Sequence, residues 1–395
     1  MSSAATSQPL AGVKVIDFTQ IMLGPCATQV LADYGADVIK IERPGSGDIH
    51  RHSIQDDPDG PDNPVFASLN RNKRSLTIDL RGERGKAVIY DLVKTADVVV
   101  NNFRAGVMER MGFGYEALAK LNPRIICAFG SGFGRSGPLA HKGGQDVLAQ
   151  ALSGVMHRRS DPSVPLSVYA TTFGDYTAGM HLVQAILLAL LQRERTGRGQ
   201  QVAVSLFESL LALQMQEAAM WLQRQRDLNW GGFPLTGVFA TRDGALVLVG
   251  AFKSNPLQDI CRALGLPDLS ADPRYATFAG LVEHKAVLQG RFRERFATDT
   301  TAHWLARLEE QDLLCAPVQT MAEALVSPQT VANGTVISVG GAAGRQIGTP
   351  LSMEPAAFRV RRGAPRLGEH SDEILHELGY APDKIAALRA DKVVA

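Results

Sequence analysis

The sequence predicts an α/β protein whose larger part is a doubly wound parallel sheet, followed by a smaller α/β domain. Three observations carry this. Short β-rich runs alternate with helical runs through the first 134 residues, at a spacing that leaves room for a helix between strands. The chain, at 395 residues, is longer than one simple core organises. Its apolar and charged fractions, 45% and 21%, are those of an ordinary globular protein.

The elements follow in order. "GVKVIDFT" (12–19) is a first strand, "GPCATQVLADYGA" (24–36) a helix that ends near a glycine, and "DVIKIERP" (37–44) a second strand. The cycle repeats with "RSLTIDL" (74–80), "RGERGKAVIYDLVKTA" (81–96) and "DVVVNNF" (97–103), then with "GYEALAKLNP" (114–123) and "RIICAFGSGFG" (124–134). A long apolar helix is expected over 176–194, a strand over 200–206 and a helix from Phe207 to about Arg226. The stretch 227–237 reads as a linker. A second α/β region then runs through 237–252, 255–264 and 283–313. The Pro- and Gly-rich tail, 348–380, suits an extended path over other parts of the molecule. The expected division is a large domain over 1–226, a small α/β domain over 227–335, and a segment over 336–395 that returns to the large domain.

Charge and cysteine usage exclude several classes. A formal charge of +1 gives no reason to expect nucleic acid as a partner. Cys26, Cys127, Cys261 and Cys315 are scattered without a CxxC pair, so neither a zinc site nor a disulfide framework is expected. The first residues lack the basic and apolar regions of a signal peptide. The run Tyr176 to Leu191 falls short of the roughly 20 residues that span a bilayer. The expectation is a cytoplasmic protein with no membrane partner and no metal.

In doubly wound sheets, ligands bind beyond the carboxyl ends of the strands. The junction "DFTQIMLGPC" has no GxGxxG, and Walker A, HExxH and GxSxG motifs are absent too, which argues against a nicotinamide dehydrogenase. Strand-end loops do supply Arg43, Lys73, Arg74, Asn102, Arg104 and Arg110. Each alone reads as a surface charge, but their recurrence at one end of the sheet favours a phosphate-bearing ligand. Asp175 stands beside Gly174 at the mouth of the long helix, where an acid most often caps the first turn.

"PLAGVKVIDFTQIMLGPCATQVLADYGADVIKIERPGSGD", "NRNKRSLTIDLR", "NNFRAGVMERMGFGYEAL", "GDYTAG" and "RTGRGQQVAVSLFES" occur in this order, and "GAPRLGEHSDEILHELGY" closes the chain. Together they resemble the class III coenzyme A transferases, the family of formyl-CoA:oxalate and carnitine CoA-transferases, over nearly the whole length. The resemblance implies a large Rossmann-like domain, a small domain and an interlocked homodimer. It places the catalytic aspartate at Asp175. It places coenzyme A contacts at Met22 and Leu23, at Arg43, at Asn70, Arg71, Asn72 and Lys73, at Asn102, Phe103 and Arg104, at Arg110, and at Lys142, Gly143, Gly144 and Gln145. No permanent cofactor is implied; a coenzyme A thioester and a small carboxylic acid are the substrates.

The chemistry suits an aspartate. Moving coenzyme A between acids without ATP requires that the thioester energy be held on the enzyme, which a nucleophilic carboxylate can do. With an ordinary pKa of about 3.9 it is expected to be ionised at neutral pH. A helix N-terminus beside it favours the anion, and Gly174 leaves room for a thioester.

The α-methylacyl-CoA racemases of the same family use a His/Asp pair, and Gln145 stands where their histidine would be. His141 lies four residues early. Met22 stands where the oxalate enzyme has a polar residue, and that enzyme's glycine loop is reduced to Gly231 and Gly232. The cluster His157, Arg158 and Arg159 reads as a solvated loop, with recognition of a second carboxylate as the sharper option. Trp221, Trp230 and Trp304 read as packing residues and Glu208 as structural. The alternatives are a racemase or epimerase, or a non-catalytic acyl-CoA binder.

Overall fold

A computed structural model describes residues 8–161, 163–340 and 344–395. The chain divides into two compact units, one comprising Met1–Val155, Val168–Gln214 and Gln329–Ala395, the other Met156–Ser167 and Met215–Pro328.

In the first unit, β1 (Lys14–Asp17), β2 (Asp37–Glu42), β3 (Lys73–Thr77), β4 (Val98–Asn101), β5 (Ile126–Ser131) and β6 (Gln201–Ser205) form a six-stranded sheet in the order β3-β2-β1-β4-β5-β6. Every neighbouring pair is parallel. The crossovers carry α1 (Leu23–Asp33), α2 (Pro64–Ala67), α3 (Glu83–Val93), α4 (Val107–Met111), α5 (Tyr115–Leu121), α6 (Asp146–Leu152) and α7 (Phe173–Thr196), and α8 (Leu206–Leu213) follows β6. Side chains that alternate along a strand feed opposite faces. Ile16, Ile39 and Val99 join Leu92 of α3 in one core. Val15, Val38, Val98 and Val100 join Leu31 of α1 and Leu182 and Ile186 of α7 in the other. The long helix α7 has the length and composition of a membrane span, but in this fold it is a core helix laid across α1 and the sheet.

The second unit contains α9 (Met215–Arg224), β7 (Thr236–Ala240), β8 (Ala245–Val249), α10 (Pro256–Leu264), α11 (Phe278–Glu283), α12 (Lys285–Phe296), α13 (Thr301–Glu309), β9 (Leu314–Pro317) and α14 (Met321–Val326). Its sheet is antiparallel in the order β7-β8-β9. Phe239, Phe292, Phe296 and Trp304 fill its core. The single helix expected from Phe207 to about Arg226 is two helices, interrupted at Gln214. Trp304 is a packing residue as expected, and Trp230, though half-exposed, packs edge-on against Phe233; Trp221 is exposed, which corrects that reading for it.

After α15 (Pro328–Ala332) come the paired β10 (Val336–Ser338) and β11 (Arg345–Ile347), then α16 (Ser371–Glu377) and α17 (Pro382–Ala390). The tail lies along the large sheet. Arg361 donates to the carbonyls of Ala32 and Ala36, His370 donates to Ser75 O, and Val394 bridges Ile78 beyond β3.

The strand order reverses between β1 and β4, which opens a crevice at their carboxyl ends. A buried charge pair braces that end. Lys73 Nζ lies 3.2 Å from Asp17 Oδ2 and donates to Asn70 Oδ1 and Pro25 O. Asp17 also accepts from the hydroxyls of Thr19 and Thr28. Burial alone would lift the Asp17 carboxyl, but Lys73, Lys40 and the two hydroxyls outweigh it and hold the acid below its ordinary range. Both side chains are fully buried, so removing one strands the other's charge. Lys73→Met is expected to destabilise the fold by about 3–5 kcal/mol. Adding Asp17→Asn should restore much of that loss, measured by denaturant unfolding. A single variant as stable as the parent would contradict the bracing role.

Candidate functional site

Two features lie toward the carboxyl end of the sheet, a cavity lined by several cationic side chains and a half-buried acid. The cavity is about 910 Å³ and opens over the ends of β1 to β4. Three residues expected from sequence, Arg43, Phe103 and Arg110, line it. So do Arg81, Lys86 and Lys392, which sequence reasoning missed because they lie on the β3–α3 connection, in the first turns of α3 and on the far tail. The cavity floor is made by groups held in place from below. Lys40 is buried, pairs with Asp48 at 2.8 Å and donates to Thr19 O. Asp48 in turn accepts from the backbone of Ile21, a residue held at φ 67°. A β-branched residue in the left-handed region is strained, so this contact helps fix the loop into α1.

Asn70, Arg71, Asn72 and Lys73 do not line the cavity. Their side chains are buried and bonded within the fold, so any ligand contact from this stretch falls to its backbone. Arg71 pairs with Asp33 at 2.6 Å and donates to Ile347 O. Asn72 bonds to Asp33 and to the backbone of Arg359, Arg361 and Arg362. These contacts anchor the tail.

Asn102 closes the switch point by exchanging two hydrogen bonds with the backbone of Gln20, at 2.7 and 2.9 Å. Arg104 lies against the 142–145 loop; a Cβ at Gly143 would fall 2.7 Å from its guanidinium. Lys142 and Gln145 are exposed. Met22 precedes α1, and its sulfur accepts from the Thr172 hydroxyl at 2.7 Å. Leu23 is core. The sequence expectations therefore divide into cavity-lining, loop-bracing and buried groups.

Asp175 lies in the first turn of α7. Glycines let three elements close around it. Gly132, after β5, and Gly144, before α6, touch backbone to backbone; a Cβ on Gly132 would stand 2.4 Å from Gly144 Cα. That contact sets the start of α6 and so the position of Asp146. On α7, a Cβ at Gly179 would meet Cys26 Sγ at 2.3 Å, so only glycine lets α7 seat this closely on α1. Gly174 similarly lies beneath the Asp146 carboxylate.

Asp146 then does the capping. Its Oδ2 accepts from the backbone N–H of Asp175 at 2.8 Å, and its Oδ1 accepts from Gln150. Gln150 also holds the incoming chain by accepting from Tyr169 N. The Asp175 carboxyl itself accepts no hydrogen bond from any described residue. The expected self-capping role therefore belongs to Asp146, which sequence reasoning passed over inside "GGQD".

The surroundings change the acid. Burial first and the Asp146 charge second push the Asp175 carboxyl up to about 7. This corrects the expectation of an ordinary, fully ionised carboxylate. Cys26, the thiol facing it from α1, is pushed up to about 12 by burial and by the Asp175 charge. It is not a thiolate at neutral pH.

His157, Arg158 and Arg159 belong to the second unit, where Arg158 pairs with Asp227 at 2.7 Å. Gly231 and Gly232 form part of a short 3₁₀ turn in the same unit. Glu208 accepts from the Ser205 hydroxyl at the start of α8, as a structural residue would. Among the described residues no group of three or more His, Cys, Asp or Glu side chains could hold a metal ion.

Comparison with known proteins places these features in a family. The sequence model of CoA-transferase family III matches residues 10–371. An acyl-CoA transferase of Fusarium pseudograminearum is 39% identical over all of this chain and 90% of its own length. A formyl-CoA:oxalate CoA-transferase of Escherichia coli O157:H7 is 34% identical over 98% of this chain and 100% of its own. Among solved structures, a CAIB/BAIF family protein from Brucella suis superposes with a TM-score of 0.85 at 31% identity, covering 94% of this chain and 100% of that one.

The raised acid has a thermodynamic signature. In the folded protein Asp175 keeps a proton that the unfolded chain has lost at about pH 4. Asp175 therefore lowers stability progressively as pH rises towards about 7, where the folded carboxyl ionises. Asp175→Asn is expected to be more stable than the parent at pH 8, on the order of 2–4 kcal/mol, with the gap closing towards pH 4. Thermal melts of both proteins across this range check it, and a pH-independent gap would contradict the raised carboxyl.

Proposed function

This chain belongs to CoA-transferase family III and is a CoA-transferase, and on that premise we propose that it moves coenzyme A from an acyl-CoA donor to a carboxylic acid through a thioester on Asp175. One observation carries the reading. Among the described residues, a half-buried carboxyl at a helix start is left without a hydrogen bond because a second carboxylate caps the helix in its place.

In the ionised form, an Asp175 oxygen attacks the donor thioester carbonyl. The C–S bond breaks, giving a mixed anhydride and coenzyme A thiolate. The thiolate attacks Asp175 Cγ, a C–S bond forms, and the donor acid leaves as a carboxylate that carries one aspartyl oxygen. The acceptor carboxylate then attacks Cγ and expels the thiolate. The thiolate takes the acceptor's acyl group and frees Asp175. The half-buried setting removes water that would otherwise stabilise the anion, which favours attack.

Arg43 and Arg110, exposed at the cavity, suit the phosphates of coenzyme A through their planar forks, and Phe103 offers an apolar wall. Arg104 and Lys142 add charge on the side of the α6 loop. Exposed Leu187, Leu188 and Leu191 on α7 and Leu213 on α8 support self-association as an interlocked homodimer. The oxalate relative makes short acids the acceptors to screen, with succinyl-CoA and formyl-CoA as donors.

The raised carboxyl also suits proton transfer at an α-carbon, the racemase reading, although Gln145 supplies no base opposite it. Intact-protein mass spectrometry after incubation with succinyl-CoA separates the two. A coenzyme A-sized adduct, absent from Asp175→Ala and released by hydroxylamine, is expected. Deuterium uptake at the acyl α-carbon from heavy water, with no adduct from either donor, would overturn the transferase mechanism.

A further inference from the structure

Asp146 is 3% exposed, yet its partners are a backbone N–H and a side-chain amide, neither of which carries charge. Neither Asp146 nor Asp175 forms a salt bridge among the described residues. The other titratable groups on elements packed against α7 are engaged or neutral. Cys26 of α1 keeps its proton, and Asp33 at the far end of α1 pairs with Arg71. Cys127 of β5 lies in the core on the other face. Glu208 of α8 is bound by Ser205, and His181 on α7 itself meets Ser209 Oγ at 2.9 Å. The Asp146 carboxylate thus sits on the backbone N–H of Asp175, and neither acid is ion-paired among the described residues.

We propose that Asp146 is a positioning residue whose carboxylate, held on the first turn of α7, disfavours the free Asp175 carboxylate relative to its neutral, covalently loaded form, and so drives coenzyme A onto the enzyme. This rests on the reading of Asp175 as nucleophile. Loading forms the Cγ–S bond and releases the donor acid, which carries away one Asp175 oxygen and the negative charge. Like charges at close range in a half-buried site repel strongly. The same repulsion that favours a proton on Asp175 therefore favours an acyl carbon bonded to sulfur there. The backbone hydrogen bond adds geometry, since it fixes the first turn of α7 and with it the direction of the Asp175 side chain.

Asp146→Asn separates charge from position. Asn keeps an oxygen for the Asp175 N–H but removes the charge, whereas Asp146→Ala removes both. Two readouts apply to the whole protein. In the first, aspartate is labelled with ¹³C at the γ-carbon, and the Asp175 signal is identified by its loss in Asp175→Asn. Its titration midpoint is expected to fall by about one to two pH units in Asp146→Asn. An unchanged midpoint overturns the proposal whether or not the enzyme turns over.

In the second, the ratio of loaded to free enzyme at pH 8 is measured by intact mass, with succinyl-CoA and succinate both present. It is expected to fall about tenfold in Asp146→Asn. Equal loading in parent and variant overturns the proposal while leaving Asp175 as nucleophile. A parent that carries no adduct overturns the nucleophile reading and the loading role with it. A purely structural Asp146 predicts a damaged Ala variant and an Asn variant with the parental midpoint, which the ¹³C titration would show directly.

Discussion

The buried pair of Asp17 and Lys73 is the contact on which the functional end of the molecule depends. It joins the tip of β1 to the start of β3, and through Pro25 O and Thr28 it also fixes α1. Lys40 and Asp48 extend the same network to the end of β2 and to the strained Ile21 loop. Such pairs cost desolvation and are tolerable only when their hydrogen bonds are complete. Here Lys73 has three oxygen partners, Asp17 Oδ2, Asn70 Oδ1 and Pro25 O, and Lys40 is held by Thr19 O and Asp48. The result is a rigid floor beneath the cavity.

Rigidity on that side allows an unfavourable arrangement on the other. Gly132 against Gly144 and Gly179 against Cys26 draw α6, α7 and α1 to distances that any side chain would forbid. The close approach brings Asp146 onto the first turn of α7, where it does the work that Asp175 would do in an ordinary helix. Asp175 is then free for chemistry but is held beside a like charge in a half-buried place. A carboxyl pushed up to about 7 costs stability at neutral pH, and the repulsion is relieved whenever the acid becomes neutral. Strain of this kind belongs to a working site rather than to a core.

The alternation of strands and helices was legible because buried parallel strands are short β-branched runs, as "VKVID" and "DVVVN" are, and the helices between them end at glycines such as Gly35. The two-helix break at Gln214 was not, because nothing local to "LALQMQEA" stops a helix. Arg43, Phe103 and Arg110 were legible as strand-end residues by the switch-point rule together with a family resemblance. Asn70 to Lys73 looked the same on that basis but turn inward, since their partners, Asp17, Asp33 and the 359–362 backbone, are remote in sequence. Lys392 reaches the cavity from the chain's end for a similar reason. Asp146 was missed because an acid at N1 of a short helix reads as a cap for its own helix, whereas it caps a different one.

The most direct test follows oxygen. With succinyl-CoA and succinate labelled with ¹⁸O in both carboxylates, turnover through an aspartyl thioester deposits an acceptor oxygen on Asp175. The peptide that contains Asp175 should therefore gain about 2 Da per exchanged oxygen, with fragmentation placing the mass on that side chain. Direct transfer between the two acids, or proton chemistry at the α-carbon, leaves Asp175 with its original oxygens. Sustained turnover with an unlabelled Asp175 peptide would contradict the account.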